Sequence, residues 1–425
     1  MASNGWRPLL EGDLAIQARG AVDDIAEALD RLSGSEIQRA ASLAGGTAGI
    51  AVFFSYLSRL GGPDAERHAE AAQRFLDEAA DALASFPMPP SYYAGFTGIA
   101  WATEHLSRMD AEDEEEEDLG EEIDEALLKF LGQTPWRDHY DLVGGLVGYG
   151  AYAVERFPRP SGIRCLEAVV DRLDETAERV EPGITWFTSP DLLTSENRER
   201  SPNGYYNLGL AHGVPGVVAV LADACRLGVR EERSRELLEG AVRWLLAQRR
   251  PDDGKSCYSW SVGPGIEPTP SRMAWCYGDP GIAAALLYAA RAVGREDWEA
   301  EALAIARRAV QTPPDAAGIV DTGLCHGAFG LAHLYNRFYQ ATGEEVFADA
   351  ARLWYGRGLE MRDPERGIAG FPSYQPIRAS ESLGWLDDPG FLTGAAGVGL
   401  GLLAGLSDVE PDWDRILMVT IPPRA

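Results

Sequence analysis

Hydrophobic and polar positions along this chain follow a repeat. A G-x-x-G step leading into an apolar run recurs seven times, at Gly46/Gly49, Gly95/Gly98, Gly145/Gly148, Gly213/Gly216, Gly278/Gly281, Gly327/Gly330 and Gly394/Gly397. Runs such as GIAVFFSYLSRL, GVVAVLADACRL and GIAAALLYAARAV are apolar almost all round and rich in Ala and Leu, the pattern of helices buried on most faces. Between them lie amphipathic segments, among them 64–86, 231–249, 296–310 and 344–355. In these, Glu-, Ala- and Arg-rich faces alternate with apolar stripes, which marks a helix with one wet side.

A repeat of this kind fixes the architecture. Seven inner and seven outer helices predict an all-α fold, a sevenfold α/α toroid built as a double barrel of about 14 helices, in a single domain over residues 1–425. An open solenoid is the alternative, but its terminal repeats carry polar caps. The last repeat here, FLTGAAGVGLGLLAGL, is as apolar as the middle ones, so closure is favoured. The intervals between first glycines are 49, 50, 68, 65, 49 and 67 residues. The surplus of the long ones lies just ahead of the glycine steps, in the Pro/Ser/Gly-rich stretches 181–207, 250–275 and 362–389. Loops entering inner helices share one rim. These insertions are therefore expected to form a lid or peptide-binding collar there, with short strands and with Trp186, Phe187, Tyr205 and Tyr206 among its aromatics; loops merely tolerated at that rim are the other reading.

Composition adds further constraints. Glycine is over-represented, 47 of 425 residues against a usual share of about 7%, and for any single G-x-x-G the plain reading is close packing without a Cβ. The net charge is −28, which argues against sequence-independent nucleic-acid binding, since that needs a basic surface. Much of that charge sits in DAEDEEEEDLGEEIDE, residues 110–125. It reads as a solvated loop leading into a helix, with partner recruitment as the alternative. No apolar stretch reaches the roughly 18–20 residues a bilayer span needs, and the N-terminus lacks the layout of a signal peptide. Five cysteines in a chain this long are no disulfide scaffold, and the expectation is a reduced, cytoplasmic protein.

Chemistry enters where repeats are decorated. The fourth reads GLAHGVPG with His212, the fifth WCYGDPG with Cys276, and the sixth GLCHGAFG with Cys325 and His326. Both cysteines stand two residues before their first glycine, and both histidines one residue before it. Equivalent positions in a toroid sit at equivalent heights, so these four side chains gather at one mouth of the barrel. Asp141, four residues before Gly145, and Arg272, six before Gly278, fall near the same end. Two thiolates and one imidazole make a Cys₂His zinc site with an open fourth position, the catalytic pattern. Helix N-termini nearby favour the thiolate form. The plain alternative is that these are core residues. Cys165 and Cys225 are read as core, Cys257 as part of a polar loop, and His68, His105 and His333 as structural or exposed.

AHGVPG, WCYGDPG and LCHGAFG, with NGYYNLGLAHG leading into the first, resemble the motifs of the lanthionine cyclases, zinc enzymes that close thioether rings in lanthipeptides. The resemblance runs over all seven repeats. It implies zinc held by Cys276, Cys325 and His326, with His212, Asp141, Arg272 and Tyr277 lining the site. It further implies a dehydrated precursor peptide as substrate, whose cysteine thiolate adds to dehydroalanine or dehydrobutyrine, and a cyclase that works alone or docked to a dehydratase and an exporter. Three other readings compete: a glutathione-adding relative, a zinc-containing peptide-binding scaffold without catalysis, and a prenyltransferase β-subunit. The last needs a basic cluster at the barrel mouth, where Arg272 alone stands.

Overall fold

Ahead of the buried helices of the third, sixth and seventh repeats the backbone doubles back on itself. The first amides of a helix have no partner within it, and the glycine at each of these N-caps offers no side chain to serve as one. Three consecutive carbonyls seven residues back take that role. In the sixth repeat Ala328, Phe329 and Gly330 donate to Asp321, Thr322 and Gly323 at 2.9, 3.3 and 3.3 Å, and in the seventh Ala395, Ala396 and Gly397 donate to Asp388, Pro389 and Gly390. The third repeat does the same from Leu146, Val147 and Gly148 to His139, Tyr140 and Asp141. Such a tight turn drives another carbonyl, six residues back, against the second glycine. A Cβ at Gly49, Gly148, Gly216, Gly281, Gly330 or Gly397 would come within 1.8–2.6 Å of that oxygen, a distance no Cβ tolerates.

The computed structural model describes residues 5–32, 41–110, 118, 120–251, 255–377 and 382–422. Within them the chain divides into two compact units. One comprises residues 1–89, 93–114 and 319–413. Its inner helices are Thr47–Ser58, Phe96–Asp110, Ala328–Thr342 and Ala395–Leu406, and its outer ones Gly12–Asp30, Ala65–Ser85 and Glu345–Glu360. Every residue from Ala395 to Leu406 is buried, whereas Ala65–Ser85 buries only Ala71, Ala72, Phe75 and Ala79, the split that all-round and one-sided apolar patterns dictate. The N-terminal helix Gly12–Asp30 packs on the last inner helix, as does the first inner helix. Leu9 and Leu10 donate their amides to Gly405, and Trp6 Nε1 donates to the Ala404 carbonyl at 2.8 Å. First and last repeats are thus neighbours, the pairing that closure requires.

The second unit comprises residues 90–92, 115–318 and 414–425. Inner helices Leu146–Glu155, Val214–Arg226 and Asp279–Val293 pack against outer helices Pro160–Thr176, Glu231–Ala247 and Glu296–Val310, while Glu121–Leu131 packs on Pro160–Thr176. Residues 111–117 and 119 of the acidic run lie outside the described residues, and the described members are not all solvated. Asp124 is fully buried and accepts bonds from Arg156 Nε (3.0 Å), Tyr152 Oη (2.7 Å) and Ser161 Oγ (2.7 Å), and Asp118 pairs with the same arginine.

The long intervals do carry short antiparallel strands: Glu178–Val180 with Gly183–Thr185, Tyr206–Asn207 with Ser261–Val262, and Ser373–Pro376 with Leu383–Leu386. They do not all go to a rim. The first hairpin packs on outer helix Glu231–Ala247. Trp186, expected in a lid, is fully buried, its Nε1 donating to the Leu173 carbonyl at 2.8 Å. An indole with one satisfied donor is simply core material.

Two glycines in the same unit should respond to alanine with opposite signs. Gly330→Ala forces a Cβ to within 1.9 Å of the Leu324 oxygen and should cost about 1–3 kcal/mol or more. Gly356, in outer helix Glu345–Glu360, has nothing within 4 Å of its would-be Cβ, and Gly356→Ala should gain about 0.5–1 kcal/mol from helix propensity. Denaturant titration of both variants against the native chain checks this.

Candidate metal centre and its imidazole–carboxylate pair

The turns ahead of the inner helices are tied to one another by single backbone bonds at the position two before the first glycine. Ala211 N–H donates to the Cys276 carbonyl at 3.4 Å, Cys325 N–H donates to Leu392 at 2.9 Å, and Leu392 N–H donates to Ala44 at 2.9 Å. Both decorated cysteines occupy this position, so backbone hydrogen bonding sets their height before any side chain is considered.

Cys276 stands in the second unit, and Cys325 and His326 are neighbours in the first. Two sulfurs and one imidazole nitrogen suit a soft-to-borderline metal and leave one tetrahedral position for a further ligand. His326 is held from its far side. Its Nε2 lies 3.2 Å from the Tyr374 carbonyl oxygen and 3.4 Å from Asp321 Oδ2. Tyr374 stands on the strand Ser373–Pro376, inside the third long interval.

The second imidazole is built differently. His212 Nδ1 lies 2.6 Å from Asp141 Oδ2, and Asp141 Oδ1 accepts the Gly144 amide at 2.9 Å. Burial alone would raise the carboxyl of Asp141, but the bond and charge of His212 with the Gly144 amide outweigh it and hold the group below its ordinary range. Burial pulls the other way on His212, and Asp141 again wins, so the imidazole sits above its ordinary value. The Tyr277 ring stacks beside His212 with centroids 6.0 Å apart. Asn207 Nδ2 donates to Tyr277 Oη at 3.0 Å, while its Oδ1 accepts the Gly209 amide at 2.8 Å. Burial drives the Tyr277 phenol far above its usual value, so it stays protonated. A cavity of about 320 Å³ opens here, lined by Asp141, Asn207, His212, Tyr277 and, from the 181–207 insertion, Leu193 and Thr194.

Arg272 is placed otherwise. Its guanidinium lies over Trp260, 5.3 Å from the ring centroid, and Trp260 in turn leans on Tyr277 at 5.3 Å. It reaches His212 only through two aromatic rings. Cys257, read as part of a polar loop, is buried, with its amide on Asp279 Oδ2 at 2.7 Å and its thiol pushed up to about 12 chiefly by burial. Cys165 and Cys225 are buried on helices. His105 and His333 are buried against Trp101 and Trp413, at centroid distances of 4.5 and 4.7 Å. Sequence reasoning missed Asn207 and Asp321. Both stand six residues before a first glycine, as Arg272 does, and that shared register was the signal.

The family described as Lanthionine synthetase C-like protein matches residues 38–418. A relative, the nisin biosynthesis protein NisC of Lactococcus lactis subsp. lactis, is 25% identical over 279 residues, 60% of this chain. The match spans 64% of that relative's length. Among solved structures, a nisin cyclase superposes with a TM-score of 0.76 at 20% identity, covering 94% of this chain and 97% of its own. That likeness carries the fold: all-α, of the toroid type read from the seven glycine steps.

The paired shifts give a signed expectation. Asp141→Asn should lower the pH at which His212 titrates, because the carboxylate that favours the imidazolium is gone. The stability carried by His212 is complete below about pH 6.5 and is lost as pH rises through its raised value; that carried by Asp141 is complete above about pH 4 and is lost as pH falls through its lowered value. The pair is therefore worth most between those limits. Imidazole ¹H–¹⁵N spectra of the metal-free native and Asp141→Asn proteins, assigned with His212→Gln, check the direction; an unmoved His212 would refute it.

Proposed function

The chain belongs to the lanthionine synthetase C-like family, and from that premise we propose that it is a zinc-dependent lanthionine cyclase. Its substrate is a dehydrated precursor peptide, in which it joins cysteine to dehydroalanine or dehydrobutyrine through a thioether. The observation that carries this reading is the family's match over residues 38–418, which takes in the decorated steps that bear Cys276, Cys325 and His326.

Those three residues would hold zinc, which when bound draws charge from an incoming thiol and keeps its sulfur ionised near neutral pH. Two cysteine ligands would leave such a sulfur electron-rich and nucleophilic. The rest falls to the chain's own groups. Bonding of His212 Nδ1 to Asp141 puts the imidazole lone pair on Nε2, ready to take the proton of the substrate thiol. The thiolate sulfur bonds to the β-carbon, the double-bond electrons move onto the neighbouring carbonyl as an enolate, and a proton from His212 Nε2 to the α-carbon closes the step. Atoms and charge balance, with no oxidant or reductant. Tyr277 accepts a bond from Asn207, which turns its own proton outward toward the developing enolate oxygen. Arg272 braces Tyr277 through Trp260 and acts as a positioning residue.

Substrates of this class come from dehydration of serine and threonine, so a dehydratase is the expected upstream partner and an exporter the downstream one. A reducing, cytoplasmic setting suits chemistry that runs on thiols. Among the described residues no helix is long and apolar enough to cross a membrane, and membrane association would come through such partners.

Zinc content and ring closure together test this. The native chain should bind about one zinc, and Cys276→Ala and Cys325→Ala should lose it while circular dichroism stays helical. With a synthetic peptide carrying one dehydroalanine and one cysteine, turnover should remove the thiol from N-ethylmaleimide labelling without changing the peptide mass. His212→Ala should keep zinc and slow closure about 10²–10⁴-fold. Product formation unaffected by His212→Ala would point to a binding scaffold, and turnover only with added glutathione to a glutathione-adding enzyme.

A further inference from the structure

Asp321 stands at the start of the turn that carries Cys325 and His326. Its side chain is fully buried. One oxygen, Oδ2, accepts the Tyr374 amide at 3.0 Å and lies 3.4 Å from His326 Nε2. The other, Oδ1, has no hydrogen-bond partner among the described residues. The Tyr374 peptide thus faces both ways: its N–H goes to the carboxylate and its C=O to the imidazole at 3.2 Å. Burying a carboxylate with one oxygen unpaired is costly, and turn geometry does not require it, because Asn207 fills the same register position with a neutral amide.

We infer that Asp321 is a positioning residue for the metal centre. With the Tyr374 carbonyl it holds the His326 proton on Nε2, so that Nδ1 carries the lone pair presented to the metal. Its negative charge, buried beside the ligand, raises the basicity of that nitrogen and offsets part of the ion's charge. Acceptors on a ligating imidazole's far nitrogen fix its tautomer and orientation in this way, and their loss typically costs 10–100-fold in metal affinity. The hairpin Ser373–Pro376/Leu383–Leu386 thereby acquires a role, delivering the Tyr374 peptide to the back of a ligand. The inference rests on the zinc reading above, and its tests separate the two.

In metal-free native protein at a pH where His326 is neutral, side-chain ¹⁵N shifts should report a proton on Nε2; a proton on Nδ1 overturns the inference whatever the zinc content. Asp321→Asn keeps an acceptor for the Tyr374 amide but removes the charge, and chelator competition should then show zinc bound 10–100-fold more weakly. Asp388→Asn is the control. Asp388 holds the same register in the seventh repeat, but its carboxylate meets Gln375 and Thr393 instead of an imidazole, so that variant should lose stability with zinc affinity unchanged. Equal zinc affinity in native and Asp321→Asn proteins overturns the inference alone. A native chain that binds no zinc removes the metal centre and this role with it. Should Asp321→Asn fail to fold, the ¹⁵N measurement on the native chain decides.

Discussion

A buried helix must have its first amides satisfied, and in this protein the backbone does it alone. The turn that folds three carbonyls back onto Ala328, Phe329 and Gly330 recurs ahead of Ala395 and Leu146, and it fits only if the second glycine has no side chain. In the fourth and fifth repeats Pro215 and Pro280 stand in the first helical turn and donate no amide to such a cap. Where the cap is made of main chain alone, the side chains six, four, two and one residues before the glycine are set out in a common register.

This explains what could be read from the sequence. The glycine steps are local and periodic, so the all-α repeat and its inner and outer helices were legible from pattern alone. The positions of Cys276, Cys325, His212 and His326 followed from the same register. Trp186 and Cys257 were misread because burial of an insertion depends on where its strands pair, and Gly183–Thr185 packs on an outer helix that nothing in its own sequence names. Asp321 was missed for a related reason. Its contact with His326 lies within one turn, but its meaning depends on Tyr374, about fifty residues later, arriving on a hairpin. Register can locate a residue on the template; it cannot say what is delivered to it from elsewhere.

The two imidazoles meet their carboxylates in different ways. Each has a carboxylate, but on opposite nitrogens. Asp141 meets His212 at Nδ1 and Asp321 approaches His326 at Nε2, which on the proposed reading leaves the lone pair on Nε2 in the first and on Nδ1 in the second. Their surroundings differ to match. His212 is 40% exposed beside a cavity of about 320 Å³. His326 is 15% exposed with its carboxylate wholly buried, where proton exchange with solvent would only weaken a ligand. A shuttle needs access and a value near neutrality; a ligand needs a fixed tautomer and a low-dielectric neighbour that strengthens its charge. On the cyclase reading, the placement of a single aspartate relative to each ring would divide proton transfer from coordination.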